Sequence, residues 1–92
     1  LKATANYASL SELEKYRVGS YIFALFAAFQ SVFKGYENGT LDRELWMGSR
    51  GALKGLLTQE YIERWWKEQA PPMSEGFTQE VNSIDEELKA GR

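Results

Sequence analysis

The chain has no cysteine and no histidine. Without cysteine there is no disulfide framework and no thiol chemistry. Without histidine the commonest general base near neutral pH is missing, and so is the commonest transition-metal ligand. Proline occurs only twice, side by side at Pro71 and Pro72. No run alternates apolar and polar residues for long enough to propose a strand, and there is no internal repeat or low-complexity linker. Nor is there a charge excess. A net charge of −2 over 92 residues gives no general attraction to nucleic acid or anionic lipid. Methionine is absent from the first position, which is Leu1, so a fragment or processed form is expected.

What remains suits one small helical domain. A chain this short buries only about 60–65% of its unfolded surface, so its core must be filled efficiently. With 43% apolar and 14% aromatic residues, the composition allows that. Residues 1–8 have neither caps nor periodicity and read as a loose lead-in, leaving 9–92 as a single domain. Ser9 with Glu12, and Ser11 with Glu14, each fit a reciprocal capping box. A first helix over about 10–36 follows, stopped by the left-handed turn expected at Glu37–Gly39. A second helix starts near Thr40–Asp42 and spans about 41–57. Thr58 can cap a third over about 59–69, which Pro71 and Pro72 end. Ser74 can cap a fourth over about 75–89, fraying at Ala90 and Gly91. The fold class is all-α, a compact four-helix bundle or orthogonal helical array.

The stretch "VGSYIFALFAAFQSVF", Val18 to Phe33, carries no charge. At about 1.5 Å per residue it is roughly 24 Å long, short for a membrane span, and Arg17 and Lys34 close it off. With Leu25 at the centre, Val18, Tyr21, Ile22, Phe26, Ala28, Phe29, Val32, Phe33 and Tyr36 fall within an arc of about 160°. This two-sidedness reads as a central core helix, a span being the alternative. Phe23 points about 160° away from Leu25, among polar residues. It is either a tolerated exposed aromatic or a contact with a partner or with further chain.

In the third helix Tyr61, Ile62, Trp65 and Trp66 share one side, and Glu63, Arg64 and Lys67 face out. The paired tryptophans read as core anchors rather than a ligand platform. In the fourth, Phe77, Val81, Ile84 and Leu88 oppose Glu80, Asp85 and Glu87. The second helix should bury Leu41, Leu45, Ala52, Leu53 and Leu56, with Trp46 and Leu57 at one margin. Gly48, Gly51 and Gly55 line its other margin. Each costs about 1 kcal/mol against alanine in a helix, so close approach of another helix, from this chain or a second copy, is the expected return. Phe23, Gly48, Gly51 and Gly55 are thus candidate partner contacts.

Several chemistries can be weighed. "GSRGALKG", Gly48 to Gly55, is not a phosphate loop, because it lacks the terminal Gly-Lys-Ser/Thr and a preceding strand. Arg43, Met47, Arg50 and Lys54 recur along one face of the second helix, and Arg43, Arg50 and Lys54 are candidates for contact with an anionic surface. A helix-turn-helix over 42–69 would put Glu60, Glu63 and Glu68 against phosphates, so no nucleic-acid partner is expected. Carboxylates are the only plausible acid–base groups, and they sit where solvated faces predict them. No catalytic residue, metal site or cofactor is expected.

The segments "FALFAAFQSVFKGYENGTLDRELW", "LKGLL" and "YIERWWKEQAPPMSEGFTQEV" together resemble a family of uncharacterised small bacterial proteins. The shared pattern is an aromatic helix, a Gly-x-Leu-Asp turn, a tryptophan four residues after the aspartate, a leucine pair, the Trp-Trp pair and a closing Phe-x-x-x-Val. It covers roughly residues 10–85. In that family an N-terminal membrane anchor precedes a compact helical domain of no established activity. The resemblance implies a domain tethered on the cytoplasmic side of the inner membrane, although the anchor itself has no counterpart in this sequence. The expectation is a non-enzymatic helical interaction module. The alternatives are a sensor of small apolar ligands and a domain that binds anionic membranes peripherally.

Overall fold

The computed structural model describes residues 10–91, which form four helices and, among the described residues, no strand. They are α1 (Glu12–Glu37), α2 (Arg43–Leu57), α3 (Glu60–Gln69) and α4 (Glu75–Ala90). The lead-in expected over 1–8 and the cap expected at Ser9 lie outside the described residues. α1, with 26 residues, runs about 39 Å at 1.5 Å per residue. It therefore sets most of the 42 Å long dimension, and α2 and α4 pack along it.

The helix ends follow local chemistry. Ser11 accepts from the Glu14 amide at 3.2 Å while the Ser11 amide donates to Glu14 Oε1 at 3.0 Å, closing the reciprocal box. Gly39, at φ +83°, turns the chain out of α1. The Gly35 carbonyl then accepts from the Thr40 and Leu41 amides and from the Thr40 hydroxyl. Asp42 caps α2 by accepting from Leu45 N at 2.9 Å. Thr58, expected to open α3, instead closes α2: its hydroxyl donates to the Gly55 carbonyl at 2.6 Å, and Gln59 precedes α3 with no side-chain cap. Ala70 sits in the left-handed region at φ 41°. The following Pro71 disfavours the right-handed helical conformation there, so the helix stops. Ser74 caps α4, accepting from Phe77 N at 3.3 Å.

Rings from all four helices build the core. Phe26 lies 4.8 Å from Trp66 and 5.7 Å from Trp65, centroid to centroid. Phe33 meets Trp46 at 5.0 Å and Phe77 at 6.0 Å. Ile22, Leu53, Leu57, Ile62, Val81 and Ile84 fill the space between. Trp66 Nε1 donates to Asn82 Oδ1 at 3.0 Å, so this buried indole keeps a partner. The tryptophans are anchors, as their spacing suggested.

Two faces are rotated from expectation. On α1 the fully buried side chains are Ile22, Phe26 and Phe33; Leu25 is only half-buried and Tyr21 is 64% exposed. The buried stripe is centred about 60–80° from Leu25. Periodicity weighs every apolar residue alike, whereas the large rings of α2, α3 and α4 decide which side is covered. On α2 the same thing happens. Trp46, Leu53 and Leu57 are buried, while Leu45 is 57% exposed and Ala52 is exposed. The ring of Trp46, packed on Phe33 and Tyr36, draws that side inward.

Candidate functional site

The rotation of α1 leaves its outer side without a covering element among the described residues. Leu13, Tyr16, Ser20, Phe23 and Ala27 follow one another at three- and four-residue steps, so they form a single stripe. Leu13 is 58%, Tyr16 73% and Phe23 40% exposed. Ala24, Ala28 and Ser31, beside this stripe, are exposed too. An open groove runs along its N-terminal half, lined by Tyr16, Gly19, Ser20 and Phe23 of α1, by Trp65 and Gln69 of α3, and at its end by the charged Glu12 and Lys15. α1 is also the one helix among the described residues long and apolar enough to cross a membrane by length and composition. Its best window has mean hydropathy 1.2, and only 17% of that window is buried. A core helix would be mostly covered. Burial inside this chain therefore accounts for Ile22, Phe26 and Phe33 but not for the absence of charge on the opposite side.

The glycines of α2 lie on its outward face. A methyl group added at Gly48, Gly51 or Gly55 would meet nothing within 4 Å. No described helix approaches them, so the close packing expected as their return is absent among the described residues. The nearest thing to that role belongs to Gly35, where an added Cβ would lie 2.7 Å from Leu41 Cδ1.

Of the three cations expected to meet an anionic surface, two are engaged internally. Arg50 Nε donates to Glu80 at 2.6 Å, and Arg50 Nη2 donates to Glu87 at 2.6 Å. Lys54 donates to Glu87 at 3.2 Å. These bonds hold α2 to α4, and the Arg50 side chain is only 16% exposed. Hydrogen bonds from Arg50 and then Lys54 pull the Glu87 carboxyl down to about 2, and Glu87 and Glu80 in turn raise Arg50. Arg43 alone remains exposed without an ion pair among the described residues. Two of the three thus already hold carboxylates of α4.

A second ionic cluster joins α3 to α4. Lys67 Nζ lies 3.7 Å from Glu63 and 3.4 Å from Asp85, and Lys89 Nζ lies 3.1 Å from Asp85. Sequence spacing put Glu63 and Asp85 on solvated faces. Instead, Asp85 is 6% exposed, and Glu63 Oε2 and Asp85 Oδ1 are buried with no hydrogen-bond partner among the described residues. Burial works against the Asp85 charge, but the interaction with Glu63, the Lys89 contact and the Lys67 charge outweigh it, and its pKa is lowered. The signal for this cluster lay in Lys67 and Lys89, which flank the pair but look like ordinary surface lysines in the sequence.

Among the described residues, no three histidine, cysteine, aspartate or glutamate side chains stand together as a metal site. The aromatic side chains that would line a ligand cavity pack on one another, at centroid distances of 4.8 to 6.4 Å. The structure thus brings Phe23 together with Tyr16, Ser20 and the groove beside Trp65, sets the α2 glycines on an open face, and removes Arg50 and Lys54 into ion pairs. Compared with protein-family models, with curated proteins and with solved structures, the chain matches none.

Proposed function

We propose that this chain is a non-enzymatic helical interaction module, and that it docks its partner through the outer side of α1. The observation that carries the reading is the mismatch in α1. The run Val18–Phe33 has no charge, yet only Ile22, Phe26 and Phe33 of it are buried, and Ser20, Tyr21, Phe23, Ala24, Ala28 and Ser31 are exposed. A solvated helix face normally carries charged residues, and a contiguous uncharged face marks a surface that something else covers. The resemblance suggests a location that belongs to the same proposal, the cytoplasmic side of the inner membrane. Photo-cross-linking in the cells that make the protein tests the docking surface. A benzophenone side chain placed at Tyr16, Phe23 or Ala27 is expected to give protein adducts, whereas one at Glu44 or Glu86 gives none. Equal labelling from all five sites, or adducts to lipid alone, would overturn the reading.

A further inference from the structure

We infer that the partner of this face is a second copy of the chain, with the two α1 helices packed antiparallel. The inference rests on the proposed docking role of α1 and names its occupant. The first argument concerns what kind of body fits. Apart from Leu13, Tyr16 and Phe23, the face consists of the small Ser20, Ala24, Ala27, Ala28 and Ser31, which would add little apolar area to an insertion into lipid. The same small side chains let another helix backbone approach to the near end of the usual 8–10 Å range. A helix is the better occupant.

The second argument concerns which helix. The stripe Leu13, Tyr16, Ser20, Phe23, Ala27 alternates three- and four-residue steps, the spacing of a knobs-into-holes seam. Run antiparallel against itself, with its dyad between Tyr21 and Ile22, it sets Tyr16 against Ala27 and Ser20 against Phe23 of the second copy. The Tyr16 and Phe23 layers then each pair a large ring with a small residue, and Leu13 faces Gln30 at the end of the seam. Run parallel, it sets Tyr16 on Tyr16, Phe23 on Phe23 and Ser20 on Ser20, layers alternately overfilled and empty. Charge favours the same choice. A parallel pair aligns Arg17 with Arg17 and Lys34 with Lys34. The antiparallel pair separates the two Arg17 side chains by about 13 Å along the axis and brings Lys34 within about one turn of Glu12 of the second copy. The opposed helix dipoles point the same way.

The absence of cysteine makes the register directly testable, because any introduced thiol is the only one. An equimolar mixture of Tyr16→Cys and Ala27→Cys chains under mild oxidation is expected to give mainly the mixed disulfide. Mainly like-with-like disulfides would overturn the antiparallel register. In sedimentation equilibrium the native chain is expected to rise toward twice the monomer mass with concentration. Ser20→Glu and Phe23→Glu, both at exposed positions, should weaken association by about tenfold or more while helical circular dichroism and melting hold. A chain that stays monomeric up to high concentration would overturn self-pairing. Protein adducts of another mass in the photo-cross-linking experiment would then leave the docking role standing with a different partner, so the two readings fail separately.

Discussion

α4 and α1 each bury one stripe of side chains, but their other sides are made differently. Outside its Phe77, Val81 and Ile84 stripe, α4 carries Glu80 and Glu87, bonded to Arg50, and Asp85, held by Lys67 and Lys89. Its remaining surface includes exposed Glu75, Gln79 and Glu86. Every feature of α4 is thus explained by this chain and water. Outside the Ile22, Phe26 and Phe33 stripe, α1 shows Tyr16, Ser20, Phe23, Ala24 and Ala28, which neither the other described residues nor water call for. A helix whose composition exceeds what its own fold requires points to a contact beyond that fold.

The strongest way to break this comparison is to cut both sides of α1. Phe26 is fully buried between Trp65 and Trp66, so Phe26→Ala should lower stability by about 3–5 kcal/mol, a large part of the 5–15 kcal/mol typical of a domain. Phe23→Ala should change the stability of the monomer by less than about 1 kcal/mol. Urea melts at low protein concentration measure both. Equal losses would mean that the outer side of α1 is core, and the contrast with α4 would vanish.

A smaller effect is expected at Gly35. There an added Cβ meets Leu41 Cδ1 at 2.7 Å and Leu41 Cγ at 2.8 Å, in the turn where the Gly35 carbonyl already accepts three hydrogen bonds. Gly35→Ala should therefore destabilise by about 1–2 kcal/mol, the overpacking strain exceeding the helical gain of alanine. A thermal melt that is unchanged or raised would show that Leu41 yields freely.

The ionic ties of α4 have a pH signature. Glu87 titrates at about 2 when folded, against 4.5 for an unperturbed glutamate, so the folded state holds its proton less tightly. Its contribution is therefore complete above the ordinary value and disappears as pH falls from there through about 2. The lowered pKa of Asp85 acts in the same direction. Comparing native chain with Glu87→Gln, the melting-temperature advantage of the native chain should shrink steadily from about pH 6 to about pH 2. Ser20 on α1 does not titrate and makes no ion pair, so a Ser20→Gln comparison should stay flat over the same range.

The sequence made the four helices and most of their ends legible because caps are local. Ser11, Asp42, Gly39, Pro71 and Ser74 each act within a few residues of where they stand. Faces were less legible. The direction of α1 and α2 depends on where Trp46, Trp65 and Trp66 come to rest, a matter of packing between elements distant in sequence. The ion pairs were hidden for the same reason, since Arg50 and Glu87 belong to different helices and each looks like surface alone. Of the candidate site, Phe23 was visible as a break in the pattern among polar residues such as Ser20, but its companions Leu13 and Tyr16 were not, because the apolar arc was centred too far toward Tyr21.

The glycines of α2 supply the finest test of what separates an open face from a used one. Gly48, Gly51 and Gly55 are exposed, and an added methyl at any of them meets nothing within 4 Å. For an isolated chain, Gly51→Ala should stabilise the helix by about 0.5–1 kcal/mol, chiefly by restricting the unfolded backbone. For a domain this small that is a rise of roughly 2–8 °C in melting temperature. The same substitution should leave the sedimentation behaviour of the dimer unchanged, because the α1 seam does not include α2. A stabilised monomer with weakened association would instead place the contact on the glycine face. Three glycines in one helix would then have a reason that the α1 pairing does not give them.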